Sequence, residues 1–205
     1  MIKEKKLINR NRLKIMKEEI IDGIKYRLDE DALTAEVIEL KDALEHDETK
    51  LTADKLMKMM FNDYDGDIVI PEKVESEKLP YCVTSIGDWA FELCTELTSI
   101  TIPKGVTNIG SYAFFACKSL KVIALPESIT CIGDSAFNSC DSLTSITLPA
   151  SITSIGKCAF LDCDSLISIT YQGNIAQWEE IELSDDWNDE IPAKVVHCTD
   201  GDVKI

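Results

Sequence analysis

From Val83 onward the apolar positions fall in the same places four times, once every 23 residues. The first unit reads VTSIGDWAFELCTELTSITIPKG (83–105) and the second VTNIGSYAFFACKSLKVIALPES (106–128). The third is ITCIGDSAFNSCDSLTSITLPAS (129–151) and the fourth ITSIGKCAFLDCDSLISITYQGN (152–174). A β-branched residue opens each unit and isoleucine follows three places later. Glycine comes next, where a turning chain leaves no room for a side chain. An Ala-Phe pair follows, and Phe91, Phe114, Phe137 and Phe160 predict a stacked aromatic spine. The stretch L-x-x-I-x-[IL], as in Leu97, Ile100 and Ile102, alternates with period two, the mark of a short strand with one buried face. Proline at 103, 126 and 149 ends that strand, because it has no N–H for a ladder. The fourth unit has Gln172 there, which predicts the end of the regular stack.

Such a unit cannot bury its own apolar face, and stacking its copies can. The pattern therefore predicts a repeat solenoid, β-rich with short parallel strands, whose function sits on its surface. The terminal units must differ, since each end of a stack exposes a raw apolar layer. Over 21–82 we expect an N-terminal cap. In it Ile24, Tyr26 and Leu28 alternate against Leu33, Ala35 and Val37 as a β-hairpin, followed by a short helix and a first strand. The helix is placed at 52–62, with Thr52 as N-cap and Leu56, Met57, Met60 and Phe61 covering the core edge or forming a partner groove. Over 175–205 we expect an irregular C-terminal cap, with Ile175, Trp178 and Ile181 at helix-like spacing and a final strand at 193–196. Residues 1–20 read as a basic segment, helical or disordered.

The unit with Ile-Gly, Ala-Phe, cysteine and Leu-x-x-Ile-x-Ile-Pro resembles the BspA-like leucine-rich repeats of bacterial surface proteins. The resemblance is strong over 83–174. It is looser over GDIVIPEKV (66–74), YCVTSIG (81–87) and TYQGNIAQWEEI through VHCTDGD (170–202). It implies a curved solenoid, adhesion and partner binding, a cell-surface or secreted setting, and no shared catalytic residues. The chain is short for that family, and it opens without a leader peptide: its early apolar residues come in pairs (Leu7-Ile8, Ile15-Met16) rather than as one block. No apolar stretch approaches the roughly 20 residues that span a bilayer.

Charge narrows the partners. Lysine and arginine number 21 against 37 aspartates and glutamates, a net of −16. Residues 1–20 hold seven basic and three acidic groups, about +4, which leaves about −20 on the remainder. A body this negative repels phosphate backbones and anionic lipid, so nucleic acid and membrane insertion are set aside and a basic protein ligand is favoured. We expect a monomer.

Candidate chemistry is thin. Cys94, Cys117, Cys140 and Cys163 recur at the repeat period and read as a ladder of free buried thiols. Cys131 and Cys158 sit at unrelated positions, and Cys82 and Cys198 fall in opposite caps. No C-x-x-C occurs, which argues against a zinc or redox site. His46 and His197 lie in different caps, so no two-histidine site or triad forms. The run Asp63-Tyr64-Asp65-Gly66-Asp67 lacks the glycine and glutamate spacing of a calcium loop. No cofactor is expected.

Two surfaces remain. In each strand the two residues flanking the central isoleucine point outward, onto the inner curve of the horseshoe. These are Ser99 and Thr101, Val122 and Ala124, Ser145 and Thr147, and Ser168 and Thr170: small, hydroxyl-rich, uncharged, with one apolar rung. The same residues are also what the repeat supplies where nothing binds. The other surface is acidic: Glu179, Glu180, Glu182, Asp185, Asp186, Asp189 and Glu190, seven acids in twelve residues without a lysine or arginine. It reads as a solvated cap, a docking patch for a basic partner or a weak cation site. The function class expected is a non-enzymatic protein-interaction or adhesion module. The alternatives are a structural spacer without a ligand and an enzyme with an unrecognised site.

Overall fold

The computed structural model of the chain describes residues 4–9, 12–21, 24–29, 32–38, 66–76 and 79–205. Its N-terminal part holds β1 (Glu4–Asn9), β2 (Arg12–Ile21), β3 (Ile24–Asp29), β4 (Thr34–Val37), β5 (Gly66–Val69), β6 (Lys73–Ser76) and β7 (Leu79–Ile86). The repeats add β8 (Leu97–Thr101), β9 (Asn108–Ile109), β10 (Val122–Ala124), β11 (Cys131–Ile132), β12 (Ser145–Leu148), β13 (Ser154–Ile155) and β14 (Ser168–Tyr171). The chain closes with α1 (Ile175–Trp178), β15 (Glu182–Leu183), β16 (Val195–Cys198) and β17 (Gly201–Lys204).

Each of the four repeats is one coil. It runs from a short strand of one row through a turn segment to a strand of a second row, then back through a loop that opens with proline in the first three coils. Coil-to-coil pairing is parallel and offset by one period: Ile109 aligns with Ile132, and Ile132 with Ile155. The first row is a ten-stranded sheet in the order β1-β2-β3-β4-β7-β9-β11-β13-β15, with β6 beside β7. The second row forms two sheets, β10-β8-β5 and β12-β14-β16-β17, whose facing edges are β10 and β12. The fold is a leucine-rich-repeat solenoid, β-rich and, among the described residues, mostly parallel and almost without helix.

The core between the rows is a set of ladders. Phe91, Phe114, Phe137 and Phe160 are all fully buried and stack face to face, with ring centroids 5.3, 5.2 and 5.4 Å apart and planes within 5°. Offset stacking of this kind adds about 0.5–1.5 kcal/mol per pair beyond area burial. The spine ends at Trp187, which meets Phe160 edge-on at 6.1 Å, and Trp178 packs on Trp187 at 5.8 Å. The α1 turn that sets Trp178 there is held by a reciprocal cap, in which Asn174 accepts from the Gln177 N–H and Gln177 accepts from the Asn174 N–H.

The glycine ladder leaves no room for a side chain, as expected, and the obstruction comes from the neighbouring coil. Gly110, Gly133 and Gly156 do not have left-handed backbone. A Cβ on Gly110 would lie 2.5 Å from the Asp88 nitrogen, and one on Gly156 the same distance from that of Asp134. Glycine is needed so that one coil can press on the coil before it. Left-handed conformation instead falls on non-glycine residues two and six places after the glycine: Trp89 and Leu93, Tyr112 and Ala116, Ser135 and Ser139, Cys158 and Asp162.

Residues 4–9 and 12–21 are strands, not the helical or disordered segment expected. Asp22-Gly23, in sequence between β2 and β3, is a two-residue hairpin signal that outweighs the weak helical spacing before it. β2 and β3 pair from Met16↔Asp29 to Ile21↔Ile24, and β3 pairs antiparallel with β4. Period-two alternation puts Glu18 opposite Arg27, with Glu18 bridging Lys25 at 3.2 Å and Arg27 at 3.4 Å. Lys17, almost fully buried on the other face, is held by Glu19 at 2.6 Å and Ser76 at 3.1 Å. The helix expected at 52–62, His46 and the Asp63–Asp65 run lie outside the described residues.

Candidate functional site

The second row of strands carries the outward-facing strip, and the register fixes who stands beside whom. Ser99 aligns with Val122 and Thr101 with Ala124; Ser145 aligns with Ser168 and Thr147 with Thr170. The strip runs further at both ends than the repeats alone suggest. β5 adds Asp67 beside Ser99 and Val69 beside Thr101. β16 sets His197 beside Thr170, and β17 sets Lys204 opposite Val195 and Asp202 opposite His197. The signal for these additions was present in GDIVIP and VVHC, which repeat the alternation of the central strands.

Exposure along the strip is uneven. Val69 is 69% exposed, Val122 62%, and Ile167, directly before Ser168, 70%. The hydroxyl rungs of coil 3 are exposed and those of coil 4 half-buried. Charge sits at the two ends. Asp67 accepts from Ser99 Oγ at 2.6 Å and Thr98 Oγ1 at 2.8 Å, and these bonds hold its carboxyl below the ordinary carboxylate range. At the far end His197 Nδ1 lies 2.8 Å from Asp202 Oδ1. Beside that end opens a cleft of about 610 Å³, lined by Glu127, Ser151, Thr170, Tyr171, His197 and Cys198 among others.

Most other polar groups of the coils have structural tasks. Thr130 and Thr153 donate to the carbonyls of Thr107 and Thr130, one period back, at 3.1 and 3.0 Å. Ser128 and Ser151 donate to Val106 and Ile129 at 2.5 Å. The cysteine ladder is more than apolar filling. Cys117, Cys140 and Cys163 donate to the carbonyls of Phe91, Phe114 and Phe137 at 3.1, 3.2 and 3.0 Å. Each thiol gives a second donor to a backbone carbonyl of the preceding coil, which also accepts the N–H of that coil's own cysteine at 3.2 Å. Burial keeps Cys117 and Cys140 well above the ordinary thiol range, so they stay protonated and inert. All eight cysteines are free, with Cys82 exposed and Cys131, Cys158 and Cys198 half-buried.

The acidic residues Glu179, Glu180, Glu182, Asp185, Asp186, Asp189 and Glu190 are all exposed and spread over the terminal coil. β15 is the end strand of the ten-stranded sheet, so charge at Glu182, Asp185 and Asp186 blunts an edge that would otherwise recruit another strand. Lys157 lies 3.8 Å from Asp186. Glu190 faces Asp162 of the coil before, and that contact raises its carboxyl above the ordinary range. Among the described residues no group of three or more His, Cys, Asp or Glu is placed to hold a metal ion.

Comparison with known proteins agrees with this architecture. A family model described as the BspA type leucine rich repeat region matches residues 71–184 in six copies. A leucine-rich repeat protein from Bacteroides capillosus is 29% identical, with a TM-score of 0.58 over 76% of this chain and 99% of that one. One from Bacteroides ovatus is 26% identical, with a TM-score of 0.55 over 76% of this chain and 43% of that one. A leucine rich cell surface protein from Faecalibacterium prausnitzii is 25% identical, with a TM-score of 0.52 over 87% of this chain and 44% of that one. The chain thus spans nearly all of the first and under half of the other two. No curated protein matches. The strand rows, the phenylalanine and cysteine ladders and the glycine contacts are the solenoid that this repeat encodes, and the chain belongs to the BspA-type leucine-rich-repeat family.

Proposed function

We propose that the chain is a non-enzymatic protein-binding module of the adhesion type, and that its partner docks across the strip of the second strand row. One observation carries this reading. The strip of outward side chains extends over both sheets of the second row, from Asp67 and Val69 to Lys204 and Asp202, with Val122 62% exposed on the edge strand β10. Small residues let a partner backbone approach closely, and serine and threonine offer hydrogen bonds at low entropic cost. Val122 and Ala124 supply the apolar contact. The net charge of −16 favours a basic partner, with the acidic terminal coil steering its approach. The cell-surface description of the Faecalibacterium relative supports an extracellular setting.

A second reading has one observation in its favour. Ser-x-Thr recurs on three of the four regular rungs, as a pure spacer would have it.

Immobilised full chain, exposed to host and culture extracts, separates the two. The binding reading expects a protein retained by the native chain and lost from Val122→Arg/Ala124→Arg, with its capture rate falling at high salt. Equal retention by that variant refutes strip docking. Nothing retained by either chain favours the spacer.

A further inference from the structure

We infer that a second contact surface lies on the turn segments of coils 1 and 2, built on Trp89, Tyr112, Phe115 and Leu93, and that it takes an extended peptide segment bearing arginine. It shares no residue with the strip and does not rest on that proposal.

The repeat supplies its own control. Trp89, Tyr112, Ser135, Cys158 and, in the terminal coil, Asp186 all hold left-handed backbone, with φ of 62, 57, 52, 54 and 61°. That conformation is strained for any side chain and least suited to a large one. The later coils fill the position with small or polar residues, so the fold does not require an aromatic there. The companion position runs Leu93, Ala116, Ser139, Asp162 and Glu190, again apolar first and polar last. Nor are these residues core: Trp89 is 39% exposed and Leu93 42%.

The rings are ordered before any ligand arrives. Trp89 lies flat on Tyr112, with centroids 4.0 Å apart and planes within 3°. Phe115 meets Tyr112 edge-on at 5.8 Å and 67°. A ligand that lands on such a platform loses little entropy to side-chain ordering. The turn segment 87–96 carries Asp88, Glu92 and Glu96 and no lysine or arginine. Asp88 is fixed by accepting the Ser111 N–H at 2.7 Å, and Asp88 and Glu96 are exposed. Coil 2's turn segment 110–119 adds one charged residue, Lys118, which Asp141 meets at 3.8 Å. An aromatic pair with exposed carboxylates on its own turn segment suits a guanidinium, which stacks on rings and pairs with carboxylates in its own plane.

Trp89 reports on this surface by itself, because Trp178 and Trp187, the other two tryptophans, are 3% and 6% exposed. The probe is an end-blocked hexapeptide of alternating arginine and serine, titrated into the full chain at physiological salt. Its counterpart carries citrulline, the neutral isostere, in place of arginine. The expected result is saturable quenching of Trp89, with the citrulline peptide about tenfold weaker. By calorimetry, Trp89→Ser and Tyr112→Ser each lose about tenfold in affinity, with unfolding temperature as the check on folding. Asp88→Asn/Glu96→Gln, which keeps shape and hydrogen bonding, weakens binding severalfold should the serine variants fold poorly. Equal affinity for both peptides, or undiminished binding by the variants, overturns the inference. So does quenching by a neutral oligosaccharide such as maltohexaose where the arginine peptide has no effect.

Discussion

Coils 2 and 3 share a backbone and a core and differ almost only outside. Their buried ladders match rung for rung: Val106 with Ile129, Ile109 with Ile132, Phe114 with Phe137, Cys117 with Cys140, Leu120 with Leu143, and Ile123 with Ile146. Their outward positions do not. Exposed Val122 and Ala124 of coil 2 stand where coil 3 has Ser145 and Thr147, and half-buried Tyr112 and Phe115 stand where it has the buried Ser135 and Asn138. One fold is satisfied by both sets, so the repeat does not require the apolar residues of coil 2. Repetition separates what the solenoid needs from what is free to recognise.

The largest effect expected from breaking this equivalence is inside. Phe137→Ala removes the middle of the aromatic spine and both of its stacking partners, and should lower stability by about 3–5 kcal/mol in denaturant unfolding. A loss under 1 kcal/mol would mean the coils do not lean on the spine.

Next comes the thiol ladder. Cys140→Ala takes one of two donors from the Phe114 carbonyl, the Cys117 N–H remaining at 3.2 Å, and should cost about 0.5–1.5 kcal/mol, while Cys140→Ser keeps both donors and costs less. If alanine were the better replacement, the thiol would be apolar filling only.

A smaller effect concerns pH at the terminal coil. Asp162 raises the folded-state pKa of Glu190 above the ordinary 4.5, so the folded chain binds the proton more tightly than the unfolded one. Stability from this site is therefore least at neutral pH and grows as pH falls through the raised value, levelling off below 4.5. Asp67 has the opposite sign: its lowered pKa gives stability present above 3.8 and lost as pH falls through its folded value. Glu190→Gln should raise the unfolding temperature at pH 7, and the gain should vanish in acid. A gain of equal size at both pH values would remove Asp162 as the cause.

Much of this was legible in the sequence because stacking imposes a period, and a period survives any single substitution. The four coils, the strand rows and the spine follow from residues that recur every 23 positions. What the period did not reveal has separate physical causes. The left-handed turn positions hold Trp89, Leu93, Ser139, Cys158 and Asp162, residues with no shared chemistry, because the backbone is forced by stacking rather than by residue type. The glycines were legible as positions without room for a side chain, but sequence does not show that the atoms a Cβ would meet belong to the coil before. The cysteines looked like small hydrophobes, because the carbonyl that each one serves lies 26 residues earlier in the chain. Strands at 4–9 and 12–21 were not legible because charged side chains stand on both faces of β2, Glu18 on one and Lys17 and Glu19 on the other, which hides the period-two alternation. The strip was seen only where the repeats are regular, so Asp67, Val69, His197 and Asp202 escaped.

The claim that exposure alone distinguishes coil 2 has one direct test. A chain carrying Val122→Ser and Ala124→Thr gives the exposed strand positions of coil 2 the side chains of coil 3, and its unfolding is measured beside its hold on the protein captured by the native chain. The account predicts stability within about 0.5 kcal/mol per substitution and a lost partner. Unfolding several kcal/mol easier, or a partner held as firmly as before, would contradict it.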